Sequence, residues 1–109
     1  MLKGVNRIFI SGRITGTDDY MERFGEAEKR IEEAGYVAVN PSFMGCALKD
    51  GTRMEYMLLT LKLLEFSDAI YMLSGWEKSL GAREELSRAK MLKMPVIYEE
   101  QNLFVEGIK

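Results

Sequence analysis

Four short apolar, β-rich runs alternate with helical stretches along this chain, and no other feature constrains its fold as strongly. The runs are RIFIS (7–11), YVAVN (36–40), DAIYML (68–73) and PVIY (95–98). After the first, Tyr20, Phe24, Ala27, Ile31 and Ala34 recur at spacings of three and four, one face of a helix. Further helical segments cover roughly 53–66 and 79–93. Thr17 or Asp18 is placed to cap the first helix, and Gly35 to end it in the left-handed region. A β-α-β-α-β-α-β order calls for parallel strands, right-handed crossovers and helices on both faces. Unbroken apolar strands such as AIYML suit strands covered on both sides. The expectation is an α/β fold, a small Rossmann-like (flavodoxin-like) three-layer domain with a parallel sheet of four to five strands. The whole chain, 1–109, reads as one domain. Its tail, QNLFVEGIK (101–109), either adds an edge strand or lies across a partner.

In such sheets ligands bind beyond the carboxyl ends of the strands, where the strand order switches. Three loops fall at that edge: SGRITG (11–16), NPSFMG (40–45) and SGWEKSLG (74–81). All are rich in Gly, Ser, Thr or Asn, which expose backbone amides or offer hydroxyls.

Composition narrows the chemistry available there. A net charge of −2, with Lys and Arg spread among acids, lacks the basic footprint of a nucleic-acid-polymer binder or a membrane-surface patch. There is no histidine, and the single cysteine, Cys46, permits neither an internal disulfide nor a cysteine-rich metal site. Neither a metal nor a cofactor is expected, so chemistry falls to carboxylates, hydroxyls, arginines and backbone amides. No signal-peptide h-region or membrane-length apolar run stands out, and a cytoplasmic protein is expected.

The middle helical segment is apolar around most of its circumference, with only Glu55, Lys62 and Glu65 sharing a narrow polar sector near Leu58. One core-facing stripe needs far less. The surplus points to burial on two sides and hence to a homodimer or higher homo-oligomer. Thr60 falls inside the apolar arc, a place for a hydroxyl that faces a pocket or bonds back to its own helix.

SLGAREEL (79–86) can be read as an ordinary capped helix start or as a ligand site. Ala82, Leu86, Ala89 and the stem of Lys93 make the buried stripe. On that wheel Glu85 borders the stripe and Glu84 lies nearly opposite, spaced i, i+4 from Arg88. Glu85 is therefore the glutamate able to reach a cleft. Ser79 and the amides around Gly81 form a helix N-terminus suited to an anion, with Arg83 as a possible charged donor.

ISGRITG (10–16), VNP (39–41), DAIYML (68–73), GWEKSLGAREEL (75–86) and PVIY (95–98), taken in order, resemble the nucleoside 2-deoxyribosyltransferase-like domains. In particular they look like a small branch, frequent in bacteria and phages, that typically carries ISGPITG and DAIYLLPGWE. The resemblance implies cleavage of the bond between base and deoxyribose by a nucleoside 2-deoxyribosyltransferase or a 2′-deoxynucleoside 5′-monophosphate N-glycosidase. It assigns Glu85 as the carboxylate that attacks C1′ as oxocarbenium character develops. It also implies that Ser79 and Gly81 hold a 5′-phosphate, and that Ser11, Gly12, Arg13, Ile14 and Gly16 wall the base and sugar. Asn40 in the second loop and Trp76 in the third complete the candidate binding set. Two positions depart from the family: Phe9 stands where active relatives have tyrosine, and Thr60 where they carry an aspartate. The implied ligand is a small-molecule nucleoside or nucleotide. Three functions follow: an N-glycosidase or transferase, a catalytically impaired nucleotide-binding module, and an interaction protein docking through its middle helix and Trp76.

Overall fold

The runs RIFIS and AIYM become strands buried between apolar layers, while VAV and VIY form the partly exposed strands at the edges of the sheet. The structure, a computed structural model, describes residues 2–101. Strands β1 (Arg7–Ser11), β2 (Val37–Val39), β3 (Ala69–Met72) and β4 (Val96–Tyr98) form one parallel sheet in the order β2-β1-β3-β4. The register pairs Phe9 with Val39 on one side and with Ile70 on the other, and Ile70 with Val96. The order reverses between β1 and β3, so a crevice opens beyond their carboxyl ends. The α/β expectation holds, with four strands among the described residues. All but the first residue of the tail lies outside that range, and the proposed edge strand with it.

Helices α1 (Tyr20–Glu33), α2 (Met44–Ala47), α3 (Arg53–Glu65) and α4 (Leu80–Met91) connect the strands. Side chains alternate between the sheet faces. Ile8, Ile10, Ala69, Tyr71 and Leu73 pack with Phe24, Ala27 and Ile31 of α1. Phe9, Ile70 and Met72 pack with Leu64 of α3 and with Ala82, Leu86 and Ala89 of α4. The three layers are thus α1, sheet, and the α3–α4 pair. This alternation has a consequence for Ser11. Two residues beyond Phe9, it shares the α3–α4 face, fully buried.

Helix ends show where local signals won and lost. Gly35 takes the left-handed stop (φ 96°) expected of it. Thr17 and Asp18 do not cap α1. Asp19 is the N-cap residue, but its carboxylate accepts from Arg23 Nε at 3.2 Å and makes no cap bond. Thr52 and Glu55 form a reciprocal capping box that starts α3. Asp68 accepts from the amides of Asn6 and Arg7, tying the start of β3 to that of β1. Those two bonds, Arg7's the larger, hold its carboxyl below the usual range.

Glu84 does not pair with Arg88 as its i, i+4 spacing suggested. Packing of α3 against α4 offers both residues cross-helix partners: Glu84 accepts from Arg53, and Arg88 Nη1 donates to Glu65 at 2.9 Å. Part of the apolar excess on α3 stays uncovered within one chain, with Met54, Leu58 and Leu59 exposed. None of the described helices is long and apolar enough to cross a membrane.

Candidate functional site

A cavity of about 480 Å³ opens at the switch between β1 and β3. Its walls come from the β1–α1 loop (Gly12, Ile14, Thr15), the start of α1 (Tyr20, Phe24), the loop after β2 with α2, and one face of α3. Ser79, Gly81, Ala82 and Glu85 of α4 complete it. Gly12 is required there by close packing, since a Cβ would sit 2.7 Å from the Leu73 Cδ1 atom.

Glu85 is one turn into α4 and only 7% exposed. Ser11 Oγ donates to its Oε1 at 2.6 Å, a bond spanning 74 positions of sequence. Desolvation, the dominant cause, favours the neutral acid and raises its pKa from 4.5 to about 7. The hydroxyls of Ser11 and Thr60 stabilise the carboxylate and oppose that rise, while the neighbouring charge of Glu84 adds to it. The bond at 2.6 Å makes Ser11 the better-placed of the two hydroxyls. Thr60 Oγ1 also donates back to the Met57 carbonyl at 3.3 Å, a long bond. Thr60 therefore does both things its place in the apolar arc suggested: it lines the cavity and bonds to its own helix.

Ser79 caps α4, its Oγ accepting from the Ala82 amide at 3.1 Å. Ahead of it, Gly75 takes φ 88°, turning the chain into the short Trp76–Lys78 helical turn that delivers Ser79 to the cavity. The amides of a helix's first turn have no acceptors within the helix, so Gly81 brings a donor to the wall.

Of the eleven candidate residues, Gly12, Ile14, Ser79, Gly81 and Glu85 line the cavity, and Ser11 reaches it through Glu85. The other five do not. Arg13 curls back, its Nε donating to the Thr15 carbonyl at 3.2 Å and its guanidinium lying over Gly16. Gly16 makes the turn (φ 81°). Asn40 is used up in loop building, accepting from the Ser42 amide and donating to Glu28, both at 3.0 Å. Trp76 packs on the α3–α4 core beside Tyr98, ring centres 6.1 Å apart. Arg83 turns onto the outer surface, its Nε 3.4 Å from the Ser79 carbonyl.

Sequence reasoning missed Arg53, Tyr56 and Met57 on α3, and Pro41 and Ser42 after β2. The TRME capping box was a usable signal, because it starts α3 at the edge of the sheet where the ligand loops lie. Tyr56 buttresses the 48–51 loop, its hydroxyl donating to the Leu48 carbonyl at 2.5 Å and accepting from the Gly51 amide at 3.1 Å. Ser42 Oγ is buried without a partner, the only such side-chain atom among the described residues. Among the described residues Glu85 is the only carboxylate on the cavity wall and Arg53 the only cation.

With that geometry in hand, comparison with known proteins places the chain. Residues 6–98 match the family described as Domain of unknown function (DUF4406), and the chain belongs to it. A solved structure reported in a characterisation of 2-deoxyribosyltransferase from the psychrotolerant bacterium Bacillus psychrosaccharolyticus superposes with a TM-score of 0.69. Its sequence is 15% identical, and the match covers 84% of this chain and 70% of that one. At that identity the likeness establishes a shared fold, the 2-deoxyribosyltransferase fold. No curated protein matches the chain in sequence.

Proposed function

We propose, from the shared fold and the residues that line the cavity, that the chain cleaves the N-glycosidic bond of 2′-deoxynucleosides or their 5′-monophosphates, with Glu85 as nucleophile. The observation that carries this is a single buried carboxylate, gripped by Ser11 at 2.6 Å, on the wall of a cavity of about 480 Å³. Pockets of roughly 300–1,000 Å³ accept small molecules of this size.

In the proposed reaction Ser11 holds Oε1, and Oε2 attacks C1′ of the deoxyribose. The C1′–N bond breaks with its electron pair leaving on the base, which takes a proton from water. A deoxyribosyl ester of Glu85 results. Water then attacks C1′ and regenerates the carboxylate, which makes the protein a hydrolase. Attack by a second base would make it a transferase. Tyr20 and Tyr56 line the cavity and would supply aromatic surface for a flat base. Only the ionised glutamate attacks, so activity should rise with pH through about 7.

One observation favours a second reading, a nucleotide-binding module that has lost turnover. Among the described residues the cavity wall holds no second carboxylate to act as general acid, and Thr60 occupies the α3 position where the resemblance places an aspartate. Threonine cannot serve as an acid at neutral pH. Incubation with the common deoxynucleosides and their monophosphates, followed by chromatography of free base, separates the two. Base release that disappears in Glu85→Ala supports the enzyme. Saturable binding with every ligand recovered intact supports the binding module, and no binding at all refutes both. The exposed apolar residues of α3, together with Leu80 and Met91 on α4, support a homodimer as the working assembly.

A further inference from the structure

We infer that Arg53 selects 5′-phosphorylated ligands, exchanging its partner Glu84 for the ligand's phosphate. This rests on the reading of the cavity as a deoxynucleoside site and deepens it by naming the residue that reads the phosphate.

Arg53 is the first residue of α3, positioned by the Thr52–Glu55 capping box. Arg53, Met57 and Thr60 recur at i, i+4 and i+7 along the cavity face of that helix. Their opposite wall is the start of α4. A Cβ on Gly81 would lie 3.4 Å from Met57 Sδ, so the two helices touch one turn inward from Arg53. The guanidinium itself reaches across and donates to Glu84, three residues beyond Gly81. Arg53, the cap residue Ser79 and Gly81 all line the wall of this one cavity. A guanidinium, a hydroxyl and a free amide lining one cavity are the kinds of donor a phosphate recognises.

The charges agree with this assignment. Among the described residues Arg53 is the one cation on the wall, and burial raises the one carboxylate there to about 7, so that it repels a phosphate less than an ordinary glutamate would. The Arg53–Glu84 pair is also weak enough to exchange. Its side chains are 57% and 40% exposed, and exposed ion pairs contribute about 0–1 kcal/mol. A dianionic phosphate offers a bidentate partner and stronger charge, so displacing Glu84 costs little. Arg13 and Arg83, the other arginines near the site, are engaged with the carbonyls of Thr15 and Ser79 and lie off the cavity wall.

The test measures equilibrium binding of each 2′-deoxynucleoside and its 5′-monophosphate by calorimetry. It uses the full chain carrying Glu85→Gln, so that every ligand stays intact. The expected result is tighter binding of the monophosphate, with that preference falling about 10- to 100-fold in Arg53→Met, the range for losing a charged hydrogen bond. Nucleoside affinity should stay within about twofold, because the methionine keeps the aliphatic stem. Arg83→Met should leave the preference in place, and Glu84→Gln should raise it by removing the competing carboxylate. Equal loss in Arg83→Met and Arg53→Met would mean a diffuse charge effect and would overturn the assignment. So would a preference that survives Arg53→Met, or equal binding of nucleoside and monophosphate. In those three cases the deoxynucleoside reading stands. Absence of binding by either ligand would overturn both.

Discussion

Replacing Glu85 by glutamine should stabilise the protein in alkaline solution and leave it nearly unchanged in acid. Glu85 ionises at about 7 when folded and at the ordinary 4.5 when unfolded. Between those values the folded chain holds a proton that the unfolded chain has released, so wild-type stability falls as pH rises through this window. Above pH 8 the loss is complete and amounts to about 3 kcal/mol, from 1.36 kcal/mol for each pH unit of displacement. Below pH 4.5 both states are protonated and the contribution vanishes. Glutamine keeps the shape, and its carbonyl can still accept from Ser11 Oγ. It never charges, so the burial penalty is absent at every pH. The assay is thermal unfolding of both proteins by circular dichroism, at one fixed protein concentration, from pH 5 to pH 8.5. The variant's advantage in Tm should grow across that range by on the order of 10 °C. Any constant offset from the extra amide N–H cancels in this comparison, as does every other titrating group. A Tm difference that stays flat with pH, or wild type gaining on the variant as pH rises, would refute the claim that desolvation dominates Glu85.

Two further outcomes follow from the same geometry. Ser11→Ala removes the donor that favours the ionised form, so the titration midpoint of ¹³C-labelled Glu85, followed by NMR, should move above its wild-type value of about 7. An unchanged or lower midpoint would show that Ser11 does not stabilise the carboxylate. The homodimer reading expects Leu58→Lys, on the exposed face of α3, to lower the sedimentation mass from two chains to one while far-UV circular dichroism is retained. A wild-type protein that already sediments as one chain would dispose of that reading.

Much of this protein is legible in its sequence. The period of the apolar residues distinguishes strand from helix, and the alternation of the two leaves few topologies beyond a parallel sheet. The same periodicity separated Glu84 from Glu85, because a residue's angular position on α4 depends on neighbours only three or four places away. What periodicity could not supply was anything set by packing between elements. Glu84 pairs with Arg53 rather than Arg88 because α3 lies against α4 and offers each of the two a partner across the helix pair. Trp76 left the site because the short helical turn after β3 directs it onto the core beside Tyr98. Asn40 and Arg13, suitable by chemistry, were consumed by their own loops.

By itself, then, the sequence determined the elements, their order, the edge where a ligand would bind and which glutamate faces inward. These depend on short-range spacing and on the steric rules of parallel sheets. Only the tertiary structure decided that Ser11 meets Glu85 across 74 positions, that burial brings that carboxyl to about 7, and that Arg53 is the cation sharing its cavity. Those contacts depend on how strand order and helix packing superimpose distant residues, and the residues carry no mark of it in their own neighbourhood.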